Sequence, residues 1–543
     1  MININIKTNK FWKKYTSQDL NVWICGYIYS HLPNELIKIF KEIKKDQIPL
    51  FIKSIDGHFS IVVQRDDLSF IAVDLIRSTP LFFIDIDKNY YVDTDPKNLL
   101  EIKNFSKIVN DDAILEFSMA GFTIGNKTLF KNLHTLKAGE IVIFDKGQFE
   151  YVQYYRYYDE ITKDNFEISL QKLSTLTIKI FKKMISQIGN RQIIIPLSGG
   201  QDSRLVASVL KYLNIKNVKC YTYGTPGNNE AKVAKLVSKR LGYDWIFIPL
   251  RYKSEKKYYQ SSEYNDFLKF SETFCSVPYI QSLSTIKYLK KLNWIDDDAI
   301  FINGGAGDFI SGGHINLKIN YSSNLKNSNL NRENIFNEII DKHFSLWGYL
   351  KNKKNLSIIK NNLSNEFANS LIDFKDSKKN HIAFEFSGFI DRQSKYVING
   401  QRIYEYYGYE WRLPLWDKEY LEFWSKIPSD YKFRQKLYKE MFKHNNFGNV
   451  WLNSIYDFKK IIVPKWVIPI RFIFKIPFSL FGKVGISAWK QFEINVFKYI
   501  MSIPHTWDMF NYFRIVKDIF KKPRNSVSWQ VEDYLKTFKL NIK

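Results

Sequence analysis

The sequence predicts an α/β multidomain protein, with a β-rich sandwich at its N-terminal end, a doubly wound parallel sheet behind it, and a helical C-terminal part. Three observations carry that expectation. Short β-branched and aromatic runs, separated by Gly and Asp turns, fill residues 1–158. Beyond them, apolar strand-like runs alternate with stretches of helical periodicity. A chain of 543 residues is also too long for one compact core, so two or three domains are expected.

In order, strands are expected at Val22–Tyr29, His58–Val63, Phe70–Val73, Leu81–Ile84 and Glu140–Phe144, with turns at Asp56-Gly57, Asp66-Asp67 and Lys146-Gly147. Asp111–Met119 can form a helix between them. From Glu167 to Ile188 the apolar residues Leu170, Leu173, Ile180, Met184 and Ile188 recur at helical spacing. A short buried strand, Ile193–Leu197, then runs into the polar turn Ser198-Gly199-Gly200-Gln201, and an apolar helix begins near Asp202. Val218–Tyr223 reads as the next strand, followed by a turn at Gly224 and a helix over Ala231–Leu241. Ala299–Ile302 is a further buried strand, ending in Asn303-Gly304-Gly305-Ala306-Gly307-Asp308. Asn320–Asn334 reads as a mobile polar loop, and from Ile335 the pattern is helical. Strands alternating with helices imply a parallel sheet, which binds ligands at the C-terminal ends of its strands.

Composition removes several classes. The 45% apolar and 17% aromatic content suffices for folded domains. Cys25, Cys220 and Cys275 have no paired spacing, so neither a disulfide framework nor a zinc site is indicated, and a reducing cytoplasm fits. No signal peptide and no long apolar span is evident. The net charge of +25 would suit nucleic acid or an anionic membrane, but the lysines are spread along the chain and no nucleic-acid partner is expected. The aromatic, basic tail could touch a membrane peripherally. Pro464, Pro469 and Pro477 would break an interfacial helix, however, so packing onto the helical domain is expected instead.

The turn after Ile193–Leu197 carries the chemistry. Gly199 and Gly200 let the backbone approach a ligand, and the helix behind them offers free N–H groups and a positive dipole end. That suits pyrophosphate. Walker spacing is absent, and Asp202 stands where a lysine would neutralise phosphate, a conflict that Mg²⁺ between carboxylate and phosphate resolves. Ser198 and Ser203 add hydroxyl donors. The plain alternative is a Gly-rich turn capping a helix.

The Ser198-Gly-Gly-Gln-Asp-Ser203 string resembles the pyrophosphate loop of ATP pyrophosphatases. The segment from Gly304 to His314 resembles the Gly-Glu-Gly-Ser/Ala-Asp-Glu-x-Phe-Gly-Gly-Tyr stretch of asparagine synthetases. Ile55–Ser60, Asp74–Phe82, Leu136–Glu140 and Glu410–Asp417 resemble further segments of that family, in family order. The resemblance implies an Ntn-hydrolase-like glutaminase-type domain over 1–158, an ATP-pyrophosphatase domain over 159–460, and an aromatic basic extension over 461–543. It implies that Leu197, Ser198, Gly199, Gly200, Gln201, Asp202 and Ser203, with Tyr223, Gly224, Gly304 and Gly305, bind ATP. Asp202 and Asp308 would act in catalysis and hold Mg²⁺, and Lys459 (or Lys460) would be the family's late catalytic lysine. A small-molecule carboxylate would be adenylated, with release of pyrophosphate, and an amine or ammonia would displace AMP to form an amide.

Departures from the family pattern shape the expected substrate. Residue 2 is Ile where the family has its nucleophilic cysteine, and no Arg-Gly-Pro-Asp or Asn-Gly-Glu-Ile-Tyr-Asn segment is found. Cys25 lies inside a strand-like run and reads as a core residue. The glutaminase domain is therefore expected to be degenerate, and ammonia could come from a separate glutaminase subunit. Gly305 and Phe309 replace family acids, which makes His314 a candidate base by position and favours a specialised carboxylate such as a sugar acid of surface polysaccharide. Asparagine synthase itself, a pyrophosphate-loop tRNA-modifying enzyme and an inactive scaffold are the alternatives.

Overall fold

The computed structural model describes residues 2–17, 19–305, 307–324, 332–372, 376–452, 467–497, 509–510 and 512–543. Its N-terminal half holds β1 (Ile2–Ile4), β2 (Trp12–Ser17), β3 (Leu20–Ile28), β4 (Gly57–Arg65), β5 (Ser69–Val73), β6 (Phe82–Ile86), β7 (Asn89–Asp93), β8 (Leu133–Thr135), β9 (Glu140–Asp145) and β10 (Gln148–Gln153). They form a four-stranded sheet, β1-β7-β6-β8, and a six-stranded sheet, β10-β9-β5-β4-β3-β2. Alternate residues of one strand point to opposite faces. Trp23, Cys25, Val62, Ile71, Val73 and Val142 thus fill the layer shared with Leu81 and with Phe83, Tyr90 and Val92 of the smaller sheet. Val22, Ile24, Ile61, Val63, Phe70 and Ile143 face the other way, onto Leu36, Phe40, Ile48 and Ile52. With both faces covered, β3 and β4 read as unbroken apolar runs rather than alternating ones. The expected sandwich is present.

The second sheet contains β11 (Ile193–Pro196), β12 (Val218–Gly224), β13 (Asp244–Pro249), β14 (Ile300–Ile302) and β15 (Glu410–Arg412), all parallel, in the order β13-β12-β11-β14-β15. Helices Gln201–Tyr212 and Asn229–Leu241 make the crossovers from β11 to β12 and from β12 to β13. From β11 the chain moves outward through β12 and β13, then returns to place β14 on the other side. The strand order therefore reverses between β11 and β14, and a crevice opens there at the C-terminal strand ends. Strand β11 is fed by the long helix Phe166–Ile188, which Asn165 caps through the Ile168 amide at 2.9 Å.

Buried polar ties join the two halves. Lys183 Nζ sits 2.6 Å from Asp56 and 2.7 Å from Asp417. Lys395 Nζ donates to the Thr123 and Gly125 carbonyls at 2.6 Å and to Asp391 at 2.9 Å, and the Gly125 amide donates to Asp391 at 2.9 Å.

Two expectations change. Much of the Asn320–Asn334 tract is helical: helices Leu317–Asn324 and Arg332–His343 enter it from both sides, while residues 325–331 lie outside the described residues. The tail does not pack as one unit. Helix Ser526–Thr537 docks on helix Asp111–Ala120, with Tyr534 stacked 4.9 Å from Phe117 and its hydroxyl donated to Glu272. Residues 467–497 instead form a helical hairpin, Val467–Ser479 against Gly482–Val496, with its own small apolar cluster. Pro469 falls in the first turn of its helix, where no N–H is needed, while Pro477 lies inside the helix two residues before its end and removes one N–H donor without stopping it from forming. Pro464 lies outside the described residues.

Under the second motif is a buried ion pair. Lys432 Nζ donates to Glu385, to the Tyr157 hydroxyl at 3.3 Å and to the Trp424 carbonyl at 3.2 Å. Burial pushes the Glu385 carboxyl up to about 7 and the Lys432 ammonium down. Removing one partner strands the other without water. Lys432→Met should therefore cost about 3–5 kcal/mol in urea unfolding followed by tryptophan fluorescence, and Lys432→Met with Glu385→Leu should recover most of it. Equal losses in the single and double variants would contradict this.

Candidate active site

The loops after β11 and β14 meet in the crevice. Leu197 N donates to the Tyr221 carbonyl at 2.8 Å, which prolongs the ladder by one residue beyond β11. The chain then turns on its own serines. Ser198 N donates to Ser203 Oγ at 3.0 Å, the two hydroxyls lie 3.0 Å apart, and Gly200 N donates to Ser198 Oγ at 3.0 Å. Gly199 abuts the neighbouring crossover helix, where a Cβ would lie 3.2 Å from Glu230 Cα. Gln201 opens the helix with Gly200 as its cap residue, so the first amides of the helix face the loop.

The second loop packs onto the first. A Cβ on Gly304 would lie 2.7 Å from the Asp202 carbonyl, and one on Gly307 would lie 2.7 Å from Asp202 Oδ1. Glycine is needed at both positions because the backbone of one loop rests on the other. Asp308 N donates to Asp202 Oδ2 at 2.9 Å. Gly305 N donates to Asn303 Oδ1 at 2.7 Å, and the Gly305 carbonyl accepts from Trp416 Nε1 at 2.9 Å. Ala306 lies outside the described residues.

Asp202 and Asp308 differ in surroundings. Asp202 Oδ1 is enclosed, and burial, then the charge of Asp308, pushes this carboxyl up to about 7, with the buried Tyr438 hydroxyl acting in the opposite direction. Asp308 has a side chain 55% exposed, and His314 Nε2 lies 3.5 Å from its Oδ2. Burial works against ionisation of Asp308, but the hydrogen bond and charge of His314, the Phe309 amide and the charge of Arg392 together hold the carboxyl below the usual range. Burial lowers the His314 pKa. One enclosed and one open carboxylate side by side are the kind of donor set that Mg²⁺ takes when it shares ligands with a polyphosphate. Among the described residues no group of three or more His, Cys, Asp and Glu could hold a metal alone.

Tyr223 and Gly224 end β12, next to the loop strand, and Gly224 has φ +138° with Asn228 packed against it. The structure thus brings together Leu197–Ser203, Gly304, Gly305 and Asp308, with Tyr223 and Gly224 one strand away. Lys459 and Lys460 lie outside the described residues. Phe309, which stands in place of a family acid, turns inward and stacks 6.0 Å from Trp416.

Sequence reasoning missed the cations near Asp308. Arg392 lies on the irregular helix Gly388–Val397, whose first residue packs against His343 and Phe309. Arg524 donates to the Lys342 carbonyl. Burial, then Arg524 and Arg392, holds the Lys342 ammonium below its usual range, while Asp308 acts in the opposite direction. Neither Arg392 nor Lys342 has an ion-pair partner among the described residues. The Asp391-Arg-Gln segment was visible in the sequence, but its neighbours come from distant helices.

The fold and site define a two-part α/β protein with a glycine-rich loop and a helix N-terminus at a topological switch point. Residues 188–445 match the family model described as asparagine synthase, and residues 36–156 match the model described as glutamine amidotransferase domain. The chain belongs to the asparagine synthetase-like family of glutamine amidotransferase type. No curated protein matches it. Among solved structures it is similar to glutamine phosphoribosylpyrophosphate (PRPP) amidotransferase from B. subtilis complexed with ADP and GMP, at 8% identity and a TM-score of 0.18. That match covers 56% of this chain and spans 60% of the other chain's length.

A carboxyl raised by burial stabilises the fold fully below its unfolded value, and that stability is lost as pH rises through about 7. In EDTA and without nucleotide, Asp202→Asn should therefore stabilise the protein at pH 8, on the order of 2 kcal/mol, and gain little near pH 4. Thermal melts at the two pH values test this. An Asn variant less stable at both would contradict it.

Proposed function

We propose that the chain is an ATP-dependent, amide-forming ligase that adenylates a carboxylate. The observation that carries this reading is the pairing of Asp202 and Asp308 under the Ser198–Ser203 loop, at the point where the strand order reverses. One carboxylate oxygen of the substrate attacks the α-phosphorus of ATP, the bond to the β-phosphate breaks, and pyrophosphate leaves. An amine then forms the C–N bond at the acyl carbon, and AMP departs with the C–O electron pair.

In this reading the amides of Gly199 and Gln201 and the hydroxyls of Ser198 and Ser203 hold the pyrophosphate oxygens. Tyr223 and Gly224 border the adenine. Asp202 and Asp308 would hold Mg²⁺, which when bound supplies positive charge against the departing pyrophosphate. His314, whose pKa burial lowers, would take the proton of the attacking amine. Lys459 remains the proposed late lysine on sequence grounds.

The N-terminal half is read as a glutaminase fold without glutamine hydrolysis. Cys25 supports this: it lies between the two sheets, and burial pushes its thiol up to about 12, so no thiolate forms. Ammonia or another amine then comes from elsewhere. Arg392, Lys342 and Arg524 favour an acid carrying more than one negative charge, such as a nucleotide-linked sugar acid of surface polysaccharide. Asparagine synthesis, tRNA modification and a scaffold role remain the competing readings.

Carboxylate-dependent exchange of labelled pyrophosphate into ATP tests the proposal, over a panel of acids that includes aspartate and nucleotide-linked uronic acids. Exchange with one acid should fall at least about 100-fold in Asp202→Asn. Arg392→Gln should raise the KM for a multiply charged acid about tenfold and leave the ATP KM within about twofold. Exchange that is unchanged in Asp202→Asn, or that needs no acid, would overturn it.

A further inference from the structure

The hairpin over residues 467–497 has a face that the enzyme reading does not use. In its first helix, Val467, Arg471, Phe474 and Phe478 recur on one side. That side meets the second helix: Phe478 lies 5.6 Å from Trp489 and 5.3 Å from Phe492, Phe474 lies 6.0 Å from Phe492, and Arg471 pairs with Glu493. A helix whose apolar residues were all needed for packing would be polar on its far side. Here Phe472, Ile473 and Ile476 occupy it, at 69%, 63% and 48% exposure, and Leu480, just past the helix end, is 79% exposed. Phe481 and Val484, at the turn and the start of the second helix, are 71% and 78% exposed.

The buried residues of the hairpin form a cluster separate from the main core, so this surface is not an edge of the core. Contiguous exposed apolar surface of this kind marks a partner surface. Its charges indicate which partner. Lys475, Lys483 and Lys490 are exposed and have no ion-pair partner among the described residues, and the hairpin's one acid, Glu493, is engaged by Arg471. The first helix has 13 residues and is about 20 Å long, too short for the roughly 30 Å hydrocarbon core of a bilayer. Among the described residues no helix is long and apolar enough to cross a membrane. An apolar face flanked by lysines on such a helix fits an anionic bilayer surface, with the rings and aliphatic chains at the headgroup–acyl boundary and the lysines at the phosphates.

We propose that the 467–497 hairpin docks this protein on anionic phospholipid membranes through Phe472, Ile473, Ile476, Leu480, Phe481 and Val484. Such docking would hold the synthetase crevice beside a membrane without any segment spanning it.

Co-sedimentation of the full chain with vesicles tests this, using phosphatidylcholine alone and phosphatidylcholine mixed with phosphatidylglycerol. The wild type should bind the mixed vesicles at least about tenfold more tightly, and added NaCl should weaken that binding. Phe472→Glu with Leu480→Glu should reduce binding at least about tenfold while leaving the melting temperature and circular dichroism unchanged, because both side chains face away from the core. Equal binding to the two vesicle types, equal binding by variant and wild type, or no binding would overturn the proposal. So would concentration-dependent dimerisation that the double variant abolishes, since a second copy would then cover the face.

Discussion

The hydrogen bond from the Asp308 amide to Asp202 Oδ2 joins the loops after the two central strands, and most of the site depends on it. For that contact to form, the second loop must rest on the first, which requires glycine at 304 and 307. The two carboxylates then share one crevice at the strand ends, in surroundings that set them apart. Asp202 is enclosed and pushed up, while Asp308 is open and held down by His314. Two acids in a crevice lined by helix amides are unfavourable neighbours unless a cation and a polyanion complete the arrangement. That electrostatic incompleteness links the packing to the proposed chemistry.

How legible each part was follows from where its determinants lie. The strand–turn–helix at Ile193–Leu210 was readable because its signals are local: a β-branched run, two glycines, then an apolar helix. The sandwich was readable for the same reason, since β3, β4, β5 and β9 are buried on both faces and announce themselves as continuous apolar runs. Strand β15 was not read as a strand. It has three residues, Glu410–Arg412, and pairs only with β14, more than 100 residues earlier in the chain. The cationic group was missed on similar grounds, because Lys342, Arg392 and Arg524 come from three separated segments and only folding makes them neighbours. Prolines misled in the tail, because Pro469 stands in the first turn of its helix, where no N–H is needed, and Pro477 is accommodated two residues before the helix ends.

The N-terminal half contributes structure to the whole. Its Gly125 loop is clamped by Asp391 and Lys395, its Asp56 shares Lys183 with Asp417, and His58 Nε2 lies 3.1 Å from the Trp416 carbonyl. Trp416 in turn holds the Gly305 carbonyl. A short chain of hydrogen bonds therefore runs from the sandwich to the second site loop. A sandwich that has lost its own chemistry would still be retained, because the loop carrying Asp308 is supported through it.

The most direct test of the two-acid site is anomalous diffraction from crystals grown with Mn²⁺ and a non-hydrolysable ATP analogue. The account predicts a manganese peak about 2.0–2.3 Å from carboxylate oxygens of both Asp202 and Asp308, with the terminal phosphates on the Ser198–Ser203 loop. Nucleotide bound with its metal away from both aspartates, or with its phosphates outside that loop, would contradict it.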